Sequence, residues 1–335
     1  MAFKEKTLAV LIPAYNEATQ IEGVVKSLPA FVDRVVIVND ASTDDTAQVV
    51  AALAAADPRL VAIDLAENRG VGGAMAVAYM WARDHGIDIA VRIDGDGQMD
   101  PDEMARLVDP IASGIADYTK GNRLWDPAGW RIIPRVRLFG NAVLSLLTKV
   151  ASGYWAVADS QSGYSAAGRL ALERIEWDKM YGRYGQPNDL LVMANVADCR
   201  VADIPVTPIY GVGERSSMKI AKVVITISLL LIRRFWWRLG RKYLLRDFHP
   251  LLFFYLLSTV TSLISAALTV RLVYFWIVNG AVPQLTALAL SFFAITTLNS
   301  LFFAFWMDML ANAPLTVRLP LDHSASRPPQ ADEVL

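Results

Sequence analysis

The chain has 335 residues, a formal net charge of −1, 54% hydrophobic residues and a mean hydropathy of +0.33. A charge this close to zero provides no global basic field for nucleic acid, and a single cysteine, Cys199, excludes an intrachain disulfide and fits a reducing compartment. The length suits one large catalytic domain plus an anchor, and the apolar excess over a soluble average of roughly 45–50% falls after residue 219.

The apolar stretch 7–14 is too short for a secretory signal, and Asn16-Glu17 follows where small residues would mark a cleavage site. The first domain is therefore expected in the cytoplasm. Continuous apolar runs at 8–12, 35–38, 60–65 and 89–93 predict buried strands, and helical spacing predicts helices at 21–28, Thr46–Ala56 and 73–85. Apolar strands alternating with helices predict an α/β fold with a mostly parallel sheet covered on both faces. Ligands then bind beyond the carboxyl ends of the strands, where 13–17, 39–45 and 94–98 fall.

Farther on, 135–152 and 188–196 read as helices and 159–164 and 200–209 as strands, with a Gly/Ser-containing loop at 211–219. The segment 219–232 is apolar with basic ends and runs into Arg233-Arg234-Phe235-Trp236-Trp237-Arg238, then Arg241, Lys242 and Arg246. Mixed Lys/Arg and Trp beside an apolar helix predict a helix lying at the membrane surface. The runs 251–278 and 285–310, the first with Arg271 as its one charge, are long enough to span, since a span needs about 20 apolar residues. Buried core helices would be the alternative, but those rarely run so long without a polar face. The Lys/Arg cluster before the first span places that side in the cytoplasm, and a hairpin returns the C-terminus there. The expected organisation is a catalytic domain at 1–218, interfacial helices at 219–247, a two-helix anchor at 248–312 and a disordered tail at 313–335.

Asp94-Gly-Asp96-Gly-Gln98 follows a predicted strand. Carboxylates two residues apart beyond a strand end can point the same way and repel unless a cation lies between them. Hard divalent cations take oxygen ligands, and Gln98 offers a third. Asp40 is placed to accept hydrogen bonds from a ribose or base, while Ser42 or Thr43 can cap the following helix.

Pro13-Ala-Tyr-Asn-Glu17, Asn39-Asp-Ala-Ser-Thr-Asp44, Asn68-Arg-Gly-Val-Gly-Gly-Ala74 and Asp94-Gly-Asp-Gly-Gln98 occur in the order seen in family 2 glycosyltransferases. The chain resembles the polyprenyl-phosphate glycosyltransferases of that family, such as dolichol-phosphate mannose synthases and polyisoprenyl-phosphate glucosyltransferases. The resemblance covers residues 7 to about 311. It implies a GT-A fold, with Pro13, Tyr15, Glu17, Asp40, Gly70 and Asp94 around the nucleotide. It also implies Asp94, Asp96 and Gln98 as ligands of Mg2+ or Mn2+.

By the same resemblance, Arg123 meets the sugar or a phosphate, Asp159 lies beside the transferred sugar, and Asp189 belongs to a later acidic motif, the three being the implied catalytic residues. Arg131, Arg135 and Arg137 would greet the acceptor phosphate, and Arg215, Ser217 and Lys219 would belong to a loop closing over the diphosphate. The chain departs from the commoner pattern at Asn39-Asp40, where two aspartates are usual, at Arg69, where Lys is common, and at Gln186-Pro187, where Phe-Glu is common. The implied reaction is inverting transfer of a hexose from a nucleotide-diphospho-sugar to polyprenyl phosphate in the plasma or inner membrane, by a homo-oligomer. UDP-glucose, UDP-N-acetylhexosamine and GDP-mannose all remain open as donors. Extension of a glycan and an inactive membrane scaffold are the rival readings.

Overall fold

The computed structural model describes residues 3–125, 135–207, 209 and 220–319. Runs of aliphatic and β-branched residues form its strands, and their burial alternates between two layers. In β1 (Leu8–Ala14), Leu8, Val10 and Ile12 enter one core with Ile21, Val25 and Leu107, while Ala9 and Leu11 enter another with Met75, Tyr79 and Leu190. A strand buried on both faces cannot alternate apolar with polar, which is why these strands read as unbroken apolar runs.

The order along the chain is β1, α1 (Ile21–Lys26), β2 (Arg34–Asn39), α2 (Thr46–Ala56), β3 (Leu60–Asp64), α3 (Gly70–Asp84), β4 (Ile89–Arg92), α4 (Met104–Ala112) and β5 (Tyr118–Asn122). Then come α5 (Arg135–Ser152), β6 (Ser165–Gly168), α6 (Arg169–Arg174), α7 (Gln186–Val196) and β7 (Val201–Pro205). With a last short strand, β8 (Thr316–Val317), the sheet order is β3-β2-β1-β4-β6-β5-β7-β8. Its pairs are parallel except those of β6, which runs antiparallel to β4 and β5. The strand expected at 159–164 is displaced. Residues 159–163 form turns, because Asp159 collects backbone N–H groups from within its own loop, and pairing starts at Ser165.

Helix α8 (Ile220–Gly240) continues through a π-helical segment, Arg241–Arg246, to α9 (Leu251–Asn279) and α10 (Gln284–Asn312). Both α9 and α10 are long and apolar enough to cross a membrane, and only 28% and 11% of their most apolar windows are buried. Their outward faces carry Leu256, Leu263, Ile277, Leu288, Ile295 and Phe302, whereas a soluble core helix would bury such residues. Between them, Thr297 Oγ1 donates to Thr261 Oγ1 at 2.8 Å, the kind of polar contact that joins helices in lipid.

After α10 the chain returns to the catalytic sheet. A turn at Ala313–Leu315 leads into β8 (Thr316–Val317), which pairs in parallel with Val201 and Ala202 of β7. The tail expected to lack structure from 313 is therefore ordered to its first strand, because β7 offers a free sheet edge; residues 320–335 lie outside the described residues. This return puts both ends of the helical hairpin on the side of the catalytic domain.

A buried polar cluster ties the hairpin down. Arg238 of α8 donates to Asp308 of α10 from Nη1 at 2.9 Å and Nη2 at 2.8 Å, with both side chains 0% exposed. Asn312, one turn on, donates to Asp308 Oδ1 and accepts from Asn195 of α7 and from Lys242. Removing one member of a buried pair leaves the other charge uncompensated. Asp308→Ala is expected to cost about 3–5 kcal/mol, read as a fall in melting temperature of the detergent-solubilised protein.

Candidate active site

The carboxyl ends of β1, β2 and β4 carry three loops that lock together. Asn16 and Ala41 adopt left-handed backbone, with φ of 59° and 54°, which turns the first two loops toward each other. Asn16 Oδ1 accepts from Thr43 N at 2.8 Å, Ser42 Oγ accepts from Asn16 N at 3.0 Å, and Thr46 Oγ1 accepts from Glu17 N at 2.9 Å. Ser42 and Thr46 thus fasten the first loop. Tyr15 stands 46% exposed on it. The Glu17 side chain and the Pro13 carbonyl lie 3.4 and 3.5 Å from where a Cβ on Gly95 would be, so the third loop packs directly on the first.

Asp40 has another task than the sequence implied. It is buried, and its two carboxylate oxygens accept from Arg69 N at 2.7 Å and Gly70 N at 2.8 Å, so it caps the start of α3. Gly70 lies against a second stretch of backbone. A Cβ at Gly70 would come within 2.4 Å of Gly182 O, and one at Gly72 within 2.0 Å of Tyr181 O. The N–H groups of Gly72 and Gly73 are taken by the Gly182 carbonyl. These glycines allow two backbones to touch, and the helix N-terminus is spent on protein rather than left open for phosphate.

Asp94, Asp96, Gln98 and Arg123 line one cleft of about 220 Å³, together with Arg92, Gln161, Ser162, Tyr184 and Pro187. Buried Arg92 donates to Asp94 from Nε at 2.8 Å and Nη2 at 3.2 Å, and from Nη1 to Gln186 Oε1 at 2.5 Å. Among the described residues Asp96 forms no ion pair. Burial and the neighbouring Asp94 push its carboxyl above the usual range. Burial, then Asp96, Asp94 and Asp44, push Glu17 up to about 7. Negative charge is thus concentrated here beyond what Arg92 neutralises, and that suits a cation.

Among the described residues no three His, Cys, Asp or Glu side chains form a ligand group by themselves. Asp94, Asp96 and Gln98 line the cleft with oxygen donors of the kind that a hard divalent cation takes.

On the opposite wall, Arg123 donates to Asp159 from Nε at 2.7 Å and Nη2 at 3.2 Å. Asp159 is 2% exposed and also accepts from Gln161 N and Ser162 N. Burial alone would raise its pKa, but Arg123, assisted by Lys120, holds it below the usual range. Asp159 is accordingly an ionised orienter of Arg123. Asp189 does not join them. It is 0% exposed in α7, bound to Arg234 of α8 and to Tyr181 N, and does not line the cleft. Its place corrects the expectation of a role at the reacting atoms. The side chains of Arg135 and Arg137 in α5, and all of Arg131, Arg215, Ser217 and Lys219, lie outside the described residues.

Sequence reading missed Arg92, Gln186, Lys120 and Asp203. The Arg92-x-Asp94 spacing within a strand end was the one available signal. Lys120 is wholly buried on β5, where desolvation pushes it down to about 7, and its Nζ donates to Ser162 O at 2.5 Å. Asp203 of β7 is in register with it. Burial pushes Asp203 up to about 6; Oδ2 accepts from Asn122 and Ala158, while Oδ1 is unpartnered.

Residues 9–175 match the family described as glycosyl transferase family 2. A UDP-N-acetylglucosamine–dolichyl-phosphate N-acetylglucosaminyltransferase of Methanococcus voltae is 32% identical over 219 residues, covering 62% of this chain and 87% of the relative. A polyprenol monophosphomannose synthase of Mycolicibacterium smegmatis is 28% identical over 238 residues, covering 67% of this chain and 86% of the relative. A glucosyl-3-phosphoglycerate synthase from Mycobacterium tuberculosis, solved with Mn2+, uridine diphosphate and glucosyl-3-phosphoglycerate, is similar at a TM-score of 0.51 and 22% identity over 70% of this chain and 81% of that one. That likeness concerns the fold.

Gly163 lies against the acidic wall, where an added Cβ would meet Asp94 Oδ2 at 2.9 Å and Arg92 Cζ at 3.0 Å. Gly163→Ala is expected to lower turnover by about 100-fold, because small misplacements of reacting groups cost that much, with little change in melting temperature. Turnover assays beside thermal unfolding check this. Asp203 gives a pH prediction. Its folded pKa of about 6 lies above an unfolded value of about 3.9, so its contribution is fully present below that value and is lost as pH rises through 6. Asp203→Asn is expected to stabilise the protein by about 1–3 kcal/mol at pH 8 and to lose that advantage near pH 4, read by unfolding at both pH values.

Proposed function

The chain belongs to glycosyl transferase family 2, and we propose that it transfers a sugar from a nucleotide-diphospho-sugar to the phosphate of a polyprenyl lipid at a membrane surface. The observation that carries the lipid acceptor is the tie between the cleft-bearing domain and the apolar hairpin, through Arg238, Asp308, Asn312 and Asn195. A polyprenyl phosphate keeps its chain in the bilayer and its head at the surface, and a cleft held at that height meets the head. Relatives named for dolichyl-phosphate, polyprenol and undecaprenyl-phosphate transfer support the same acceptor class.

The chemistry follows from the charges. The acceptor's second pKa is about 6, so it is largely dianionic at neutral pH and requires no side chain to remove a proton. A phosphate oxygen attacks the anomeric carbon, the bond to the donor's β-phosphate oxygen breaks with inversion, and the nucleoside diphosphate leaves with the electron pair. The difficulty lies in bringing two anions together. Arg123, held by Asp159, presents a fixed guanidinium to them, and preorganised charge of this kind is a major source of catalysis. Held by Asp94, Asp96 and Gln98, Mg2+ or Mn2+ would neutralise charge on the departing diphosphate.

Pro13, Tyr15 and Glu17 would flank the base and ribose, and Arg131, Arg135, Arg137, Arg215, Ser217 and Lys219 the two phosphate groups. The catalytic domain would face the cytoplasm, with Lys/Arg before the first span on that side and β8 returning to it. Assembly into a homo-oligomer through the spans belongs to the same proposal.

The test is a donor screen of purified full-length protein with undecaprenyl phosphate and Mn2+ or Mg2+, read by mass spectrometry. One donor should give a polyprenyl-phosphate-sugar, and Asp96→Ala or a chelator should cut the rate by about 100-fold or more. Transfer to a glycan instead, or turnover indifferent to Asp96, would overturn the proposal.

A further inference from the structure

Helix α7 touches both the cleft and the membrane-lying helix. Its first residue, Gln186, accepts from Arg92, which grips Asp94, and Pro187 lines the cleft. Three residues after Gln186, on the same face of the helix, Asp189 is gripped by Arg234 of α8. The Nε atom donates to Oδ1, and Nη2 donates to Oδ2 at 2.8 Å. The side chains are 13% and 0% exposed. Asp189 Oδ2 also accepts from Tyr181 N at 2.7 Å. That bond fixes the loop bearing Tyr184, which lines the cleft, and Gly182, whose carbonyl holds α3.

Attachment alone does not account for this pair. Helix α8 and its extension are already fastened through Arg238 to Asp308, Arg241 to Glu176, and Lys242 and Arg246 to Asp198. Burying a further carboxylate is expensive. Desolvation pushes Asp189 above its usual range even with Arg234 beside it, and a packed apolar pair would hold two helices as well. What a bidentate ion pair adds is a defined geometry, here placed one helical turn from the residue that holds Arg92.

Building on the function proposed above, we infer that Asp189 and Arg234 are a positioning pair. Through it the seating of α8 on the membrane sets the Gln186–Arg92–Asp94 wall of the cleft, so turnover depends on two side chains that touch no substrate. Coupling through one rigid element requires a contiguous set of contacts, and here each contact has named partners.

The experiment uses the full-length protein in liposomes containing undecaprenyl phosphate, with the donor identified in the screen. Arg234→Gln, Asp189→Asn, the double variant and Arg234→Lys are compared for kcat, for KM of donor and lipid, and for melting temperature. Each single neutralisation is expected to lower kcat by about tenfold or more while leaving the donor KM within about threefold. The double variant should be no worse than the worse single, because the two act as one unit, and Arg234→Lys should recover part of the loss.

An unchanged kcat per folded molecule, losses that multiply in the double variant, or losses that follow melting temperature alone would overturn the inference. Should Asp189→Asn fail to fold, the two Arg234 variants decide between the same outcomes. An active wild type with indifferent variants defeats only this inference, whereas a wild type that makes no lipid product defeats the proposed function and this inference with it.

Discussion

The pairing of Arg92 with Asp94 is the contact on which the rest of the site depends. Glu17, Asp94 and Asp96 are drawn together at the strand ends by loops that interlock through Asn16, Ser42 and Thr46, and like charges so placed repel. One buried guanidinium, inserted from the last residue of β4, holds Asp94, and among the described residues Asp96 forms no ion pair. Gly163 has to be a glycine so that this pair can lie against the turn after Asp159, and Gln186 completes the guanidinium's contacts from α7.

Much of this was legible in the sequence, for physical reasons. Strands buried on both faces must be continuously apolar, so β1 to β4 could be placed within a residue or two. Glycines around paired aspartates mark a tight turn, so Asp94, Asp96 and Gln98 could be singled out. Less could be read where a residue's role depends on a distant partner. Asp40 looks like a ribose ligand until α3 starts two bonds away from its carboxylate. Gly70 is placed around the nucleotide by resemblance alone, and nothing local announces that the backbone of 181–182 packs against it and Gly72. Asp189 looks catalytic until Arg234, 45 residues later, occupies both its oxygens. Lys120 sits in a short run of strand residues, and nothing local announces that Ser162 will claim its ammonium.

The basic segment after residue 232 shows the same limit at the membrane. In sequence it reads as part of a basic, Trp-bearing helix lying at the membrane surface. In the fold, Arg234, Arg238, Arg241, Lys242 and Arg246 all reach carboxylates of the protein. These five side chains are directed at the protein's own carboxylates, while Arg233 stays exposed. The apolar side chains of α8, among them Ile225, Leu229 and Ile232, are left outward and exposed. Docking of α8 on α5 and α7 thus combines an apolar cluster, with Ile227 and Leu231 against Leu144, Ala151 and Val192, with directional ion pairs, while a second apolar face stays outward.

That division bears on how an enzyme of this kind meets its acceptor. An apolar surface floats at the depth the bilayer allows and carries little orientational information, because hydrophobic burial is non-directional. Orientation has to come from contacts that resist rotation, and bidentate ion pairs do so. Arg238 with Asp308 fixes the hairpin to α8, Asn195 with Asn312 fixes the hairpin to α7, and Arg234 with Asp189 fixes α8 to α7. Three elements joined pairwise form a closed triangle, so none can rotate alone. The vertex at α7 is also the one that reaches the cleft, through Gln186 and Arg92. The apolar hairpin and the cleft wall that carries Asp94 thereby belong to one connected set of contacts, and the proposed reaction would have one degree of freedom fewer to supply.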